Sequence, residues 1–193
     1  MTARKTGSKL IIGPIRMSFP WLHAPQPPME GEGEGKYGVV ALFPPGYDLQ
    51  PIIDAMVGAA KEKWGPDEKK WPRLKFGPRE RIKSCEEKAD LAGYLPGWHF
   101  VGLNSKSQPH IVDAKLEPVG DDILKREAYG GRWARLSANP YAWDTGKGVR
   151  GVSLGLNNVQ LLAHDEPFAG KPRATDDFDE VLEDMNSAQN WNG

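Results

Sequence analysis

Between Gly151 and Leu162 the chain reads GVSLGLNNVQLL, and Val152, Leu154 and Leu156 alternate with small or polar residues. Alternation of this kind is the signature of a strand with one buried face. After Asn157 and Asn158 the apolar positions are Val159 and Leu161, so the parity has changed. One extra residue at the Asn pair, a β-bulge, would return both halves of the strand to the same core. Gly151 and Gly155 favour a sharp bend or a close backbone approach. A long, bent and bulged strand is what a small closed barrel uses to turn a corner.

The remaining pattern is consistent with that strand. Lys9 to Phe19 predicts a first strand interrupted at Pro14, followed by an extended, irregular segment from Trp21 to Pro28. MEGEGEGK, Met29 to Lys36, predicts a flexible acidic hairpin tip, and Tyr37 to Phe43 a second strand stopped by Pro44 and Pro45. Asp48 has the chemistry of a helix N-cap and Pro51 suits the first turn. Ile52, Ile53, Met56, Val57, Ala60 and Trp64 then form one helical stripe that ends at Gly65 and Pro66. Trp98 to Leu103 predicts a strand, Ser105 to Ser107 a turn, Gln108 to Val112 a short return strand and Asp121 to Glu127 a helical turn. From Arg132 to Tyr141 the pattern is strand-like until Pro140. Ala134, Leu136 and Ala138 take one face; Trp133, Arg135, Ser137 and Asn139 take the other. Trp143 to Arg150 predicts a hairpin turn into the long strand. The order points to a mainly β, OB-fold-like Greek-key barrel with an inserted helix and a long loop before its later strands.

Charge changes this picture more than composition does. The 193 residues are 39% hydrophobic and carry a net charge of -1. Asp176, Asp177, Asp179, Glu180, Glu183 and Asp184 all lie after Ala174, where there is no Lys or Arg, so the body holds 25 basic against 20 acidic residues. A basic body of net +5 with an acidic tail is a marked asymmetry. It predicts a domain over residues 1–173 and a disordered tail over 174–193. No apolar run approaches the roughly 20 residues of a membrane span, and MTARKTGSKLII lacks a signal-peptide core, so a cytoplasmic site is expected. Cys85 is the single cysteine and allows no internal disulfide.

The densest charge lies from Lys61 to Lys83, where nine basic residues meet four acids, with Trp64, Trp71 and Phe76 among them. Cations that follow phosphates, interleaved with rings that stack on bases, suit a single-stranded nucleic acid. The same run reads equally as a solvated face with Trp64 beneath it. On the first reading the contacts come from Lys69, Lys70, Trp71, Arg73, Lys75, Phe76, Arg79 and Arg81. Lys106 in its turn, Trp133 and Arg135 on the polar strand face, Tyr141 and Trp143 at its end, and Lys147 and Arg150 in the hairpin join them.

Catalytic motifs are absent. Gly35-Lys36 is followed by Tyr37 and lacks the spacing of a phosphate loop. The four histidines stand apart, outside any metal-ligand spacing, and there is no G-x-S-x-G. No cofactor or metal is expected. Asp113, Glu117, Asp121 and Asp122 are the residues a metal-dependent nuclease would need, in no recognised spacing. A protein-interaction module without nucleic acid is the other alternative.

Four segments together carry a family resemblance: SFPWLHAP, KYGVVALFP, GRWARLSANPYAW, and GVSLGLNNVQLL with the following HDEPFAG. Over Ile11 to Asp179 the chain resembles phage-encoded single-stranded-DNA-binding proteins, most specifically in the order of Tyr141, Gly151 and Asn157-Asn158-Val159-Gln160. The resemblance implies an OB-fold. It also implies non-catalytic, sequence-independent binding of single-stranded DNA in phage replication or recombination, within the cytoplasm of the infected bacterial host. Replication or recombination proteins would then meet the tail at Asp176, Asp177, Phe178, Asp179, Glu180 and Leu182. The tail ends in Trp191, Asn192 and Gly193 rather than in a terminal Phe.

Overall fold

The computed structural model describes residues 2–6, 9–28 and 33–168. Part of the acidic hairpin tip and all of the acidic tail, including its six candidate partner-binding residues, lie outside the described residues. In chain order the elements are β1 (Arg4–Thr6), β2 (Lys9–Gln26), β3 (Lys36–Phe43), α1 (Gln50–Trp64), β4 (Lys83–Ser84), β5 (His99–Ser105), β6 (His110–Val112), α2 (Asp121–Glu127), β7 (Trp133–Asp144) and β8 (Arg150–Leu161).

Strands β5, β3, β2, β7 and β8 are neighbours in that order, and β8 closes onto β5 through the parallel pairs Leu103 with Leu154 and Asn104 with Gly155. A five-stranded barrel closed in this way has the architecture of an OB-fold. Its interior holds Ile12, Ile15, Met17 and Leu22 of β2, Val39, Ala41 and Phe43 of β3, and Val101 and Leu103 of β5. Ala134, Leu136 and Ala138 of β7 complete it with Val152, Leu154, Leu156, Val159 and Leu161 of β8.

The bulge falls where the parity of β8 changes. Ala138 pairs with Leu156 and Ser137 with Asn158, so Asn157 is the extra residue. Apolar positions on both sides of it are therefore buried, as the alternation requires. α1 buries Ile52, Met56, Val57 and Ala60 and packs against β7 and β8. The carboxylate of Asp48 accepts the Gln50 N–H at 3.0 Å, one residue before the helix cap at Leu49. Gly65 ends the helix at φ 93°, a conformation glycine adopts without a Cβ clash.

Three expectations are corrected. The first strand does not stop at Phe19: interrupted at Pro14 by a register shift between Ile12 and Ile15, β2 runs on to Gln26. The Gly13 N–H released there reaches the Tyr47 hydroxyl at 2.9 Å. Nor does Pro140 end β7, which continues to Asp144. Pairing with β2 stops at Ala138, so beyond it one edge of β7 is open and the missing N–H breaks no ladder bond. The third concerns direction. β6 does not return alongside β5; it pairs in parallel with β8, from His110 with Asn158 to Val112 with Gln160. β5 covers only the first half of β8, and β6 takes up the backbone groups past the bulge.

A second apolar cluster, Leu42, Cys85, Tyr94 and Phe100, lies outside the barrel. Burial pushes the Cys85 thiol up to about 11, which marks a packing residue rather than a nucleophile. Deleting Asn157 should abolish the cooperative unfolding transition in urea, because Val159 and Leu161 would turn outward. Asn158→Ala, at an exposed position, should change stability by less than about 0.5 kcal/mol in the same measurement.

Candidate nucleic-acid interface

The outward positions of β7 are Trp133, Arg135, Ser137, Asn139, Tyr141 and Trp143, and none of them is buried, whereas Ala134, Leu136 and Ala138 are. Tyr141 is 47% exposed, an unusual state for a large ring. Trp143 lies beside it with its indole N–H donated to the Ser153 hydroxyl at 2.9 Å. The residue opposite Trp143 is Gly151. A Cβ there would lie 2.8 Å from Trp143 Cζ2 and 3.1 Å from Phe76 Cβ, so glycine lets the two rings close over the strand.

Phe76 reaches this place because the middle of the basic loop docks on the start of β8. The Lys75 N–H donates to the Arg150 carbonyl and the Val152 N–H to the Phe76 carbonyl, both at 2.9 Å. Phe76 and Trp143 then stand 6.3 Å apart between ring centroids. Lys75 Nζ lies 5.5 Å and Arg81 Cζ 5.7 Å from the centroid of Phe76. Arg73 to Lys75 and Gly148 to Arg150 together line an open crevice of about 460 Å³.

The ion pairs divide the cations of this region. Lys70 meets Asp67 at 3.8 Å, Arg79 meets Glu68 at 3.1 Å, and Arg150 meets Asp144 at 2.5 Å. Lys69, Arg73, Lys75, Arg81 and Lys147 have no carboxylate within 4.0 Å among the described residues. Arg81 is the most constrained of them: it is half-buried and its Nε has no hydrogen-bond partner among the described residues. Burial lowers the pKa of its guanidinium, and nearby Tyr141 acts in the opposite direction. A desolvated cation without an anion is costly, and a phosphate would complete it.

A second part of the surface lies across β2, β3 and β5. There Phe19, Trp21, Tyr37, Lys36, Asn104 and Lys106 line an open groove of about 660 Å³. Phe19 adopts φ 45° and is 50% exposed. A bulky residue in that conformation is strained, and it lies within the register shift between Ser18 and Trp21. The groove leads toward Tyr141. Asn104 is paired with Gly155, and a Cβ on Gly155 would lie 3.6 Å from the Tyr141 ring. Sequence reasoning chose Lys106 but passed over Phe19, Trp21, Tyr37 and Lys36. The available signal was two rings flanking Pro20 on a strand too irregular to bury both.

Other candidates stand apart. Trp71 is half-buried against Trp64 and donates its indole N–H to the Gly65 carbonyl at 2.8 Å, so it braces the loop. Trp133 lies at the opposite end of β7 from Tyr141, with its indole N–H on Asp165 at 2.8 Å. Arg16 joins that end, 3.3 Å from Asp165 and stacked 4.5 Å from the centroid of Phe168. Arg135 falls between the two ends. Two of the four carboxylates that a nuclease would need have protein partners. Asp113 accepts the N–H groups of Lys115 and Glu117, and Asp121 accepts the Gln108 amide. Among the described residues no three His, Cys, Asp or Glu side chains are grouped to hold a metal. No helix among them is long and apolar enough to cross a membrane.

A closed OB barrel with an exposed band of rings and unpaired cations defines a candidate single-strand binder. The family model described as "Enterobacter phage Enc34, ssDNA-binding protein" matches residues 8–189, and the chain belongs to that family. The structure is similar to that of the bacteriophage Enc34 single-stranded DNA-binding protein in complex with ssDNA, with a TM-score of 0.67, 20% identity, and coverage of 84% of this chain and 90% of that one. It is also similar to gp2.5, the single-stranded DNA binding protein encoded by bacteriophage T7, with a TM-score of 0.57, 17% identity, and coverage of 93% and 98%. No curated protein sequence matches the chain.

Asp165 allows one test of this geometry. Its pKa is lowered, first by the Glu166 N–H and next by the Trp133 indole. A depressed carboxylate contributes stability above its unfolded pKa, near ~3.9, and loses that contribution as pH falls through the folded value. Trp133→Phe should raise the Asp165 pKa in an NMR titration and move the acid limb of the melting curve to higher pH. An unmoved Asp165 pKa would show that the indole is not holding it.

Proposed function

We propose that the chain binds single-stranded DNA without sequence preference and does not cleave it. The observation that carries this is Arg81, half-buried beside Phe76 and Tyr141 with no anion of its own. Phosphates would be neutralised by Arg81, Lys75, Arg73, Lys69, Lys147 and Lys106, while Tyr141, with Trp143 and Phe76 behind it, offers bases a stacking surface. Stacking of this kind contributes about 1–3 kcal/mol per base and tolerates any sequence. The groove lined by Phe19, Trp21 and Tyr37 continues the path in the position where OB-folds commonly bind. The role is in phage DNA replication or recombination, in the cytoplasm of the infected host.

A labelled oligonucleotide mixed with the protein and magnesium tests the reading. A shift without cleavage supports it, cleavage favours the nuclease, and neither favours a protein-interaction module. Tyr141→Ala should weaken binding by about 1–3 kcal/mol with little change in Tm. The triple variant Lys69→Ala, Arg73→Ala, Lys75→Ala should weaken binding to all sequences alike. It should also flatten the log–log salt dependence by about 0.7 for each phosphate that is no longer neutralised. An unchanged slope would place the site elsewhere on the barrel.

The segment 174–193 forms a second unit in this proposal, an acidic tail on a basic domain. Six tethered acids have a high effective concentration at the basic surface, so the tail competes weakly with DNA. Once displaced, it is free to meet replication or recombination proteins through Asp176, Asp177, Phe178, Asp179, Glu180 and Leu182. Truncation after Arg173 should tighten single-strand binding, most at low salt where charges are least screened. Equal affinity at low salt would rule out the competition.

A further inference from the structure

The outward face of β7 carries a second, separate feature between Tyr141 and Trp133. Arg135 and Ser137 of β7, Asn158 and Gln160 of β8, and Arg4 of β1 line a shallow groove of about 220 Å³. Neither Arg4 nor Arg135 has a carboxylate within 4.0 Å among the described residues. Asp113, whose carbonyl meets the Gln160 amide, turns its carboxylate to the N–H groups of Lys115 and Glu117. Ser137 lines the groove, but its hydroxyl is closed to solvent and has no hydrogen-bond partner among the described residues. Two guanidiniums without a carboxylate in one groove point to an anion that is not part of the protein.

Two guanidiniums and the exposed Asn158 amide suit a tetrahedral oxyanion: arginine offers forked N–H donors and the Asn158 amide can donate beside them, while the Gln160 amide is held by the Asp113 and Ala114 carbonyls. The position also bears on the path. Ser137 is four residues from Tyr141 on the same strand face, roughly 13 Å at ~3.3 Å per residue. That spacing lies within the ~4–16 nucleotides an OB barrel covers.

We infer that the groove between Arg4 and Arg135 holds a phosphate of the bound strand, so that single-stranded DNA continues from Tyr141 along the outside of β7. This rests on the single-strand reading above. It makes the interaction length-dependent: short strands end on the Tyr141 platform, and longer ones gain the additional phosphate.

The test uses the full chain, fluorescein-labelled oligothymidylates of increasing length, and the variants Arg4→Ala/Arg135→Ala, Arg135→Lys and Ser137→Ala. The double variant should bind the shortest oligonucleotides as the parent does and lose several-fold affinity above a threshold length. Its salt slope should flatten there by about 0.7, the contribution of one phosphate on a single strand. Arg135→Lys should keep the slope, and Ser137→Ala, at a hydroxyl closed to solvent, should bind as the parent does at every length. Should the double variant melt early, the exposed Arg4→Glu alone must reproduce the length-dependent loss. Parent-like binding by the double variant at every length and salt would overturn the inference. So would loss of stabilisation by inorganic phosphate with oligonucleotide binding intact, which would make the groove a free-anion site. A parent protein that binds no oligonucleotide would overturn the single-strand reading itself, a result distinct from either.

Discussion

The pairing of β8 on both of its edges is the constraint on which the rest depends. One edge meets β7 along almost its whole length; the other meets β5 first and β6 after the bulge. A strand that turns through this much of a barrel cannot keep a strict two-residue period and still bury every apolar side chain. Asn157 absorbs the mismatch. With it in place the barrel closes, the edges of its five principal strands are largely taken up, and the outward face becomes a stable, regular surface. Without that regularity, Tyr141 and Trp143, with Gly151 opposite the latter, would not hold their rings in one row.

Electrostatics then divides this surface by function. Cations in the basic loop fall into two groups, those satisfied by neighbouring acids and those left without one. The satisfied group, Lys70, Arg79 and Arg150, shapes the loop and the hairpin. Of the unsatisfied group, Lys75 and Arg81 lie over the Phe76 ring. Exposed pairs of this kind add little stability, so they act mainly on the conformation of the segments that carry them. Arg81 is the exception to simple exposure: it is half-buried beside Phe76, and its Nε has no hydrogen-bond partner among the described residues.

The opposite end of β7 is organised by different chemistry. Arg16, Trp133, Asp165 and Phe168 lock the chain that follows β8 against the barrel, with Arg16 donating to the carbonyls of Gly131 and Glu166 at 2.8 Å. The Phe168 N–H adds a bond of 2.8 Å to the Gly130 carbonyl. The end of the described chain, at Phe168, is thus fixed at the far end of β7 from Tyr141.

Much of this was legible in the residues alone, because alternation is a property of neighbours. The buried face of β8, its bulge, the two faces of β7 and the stripe of α1 follow from side chains two to four residues apart, whatever partners they meet. The excess of base in the body is likewise a count. Partner choice was not legible. Trp71, Trp133 and Tyr141 are all aromatic residues beside charge, yet only Tyr141 stays largely exposed. The carbonyl that takes the Trp71 indole belongs to a turn formed by the end of α1, and Asp165 stands 32 residues from Trp133. The direction of β6, the conformation of Phe19 and the isolation of Arg81 were decided the same way. Each depends on which distant segments the closed barrel brings together, and local periodicity carries no record of that.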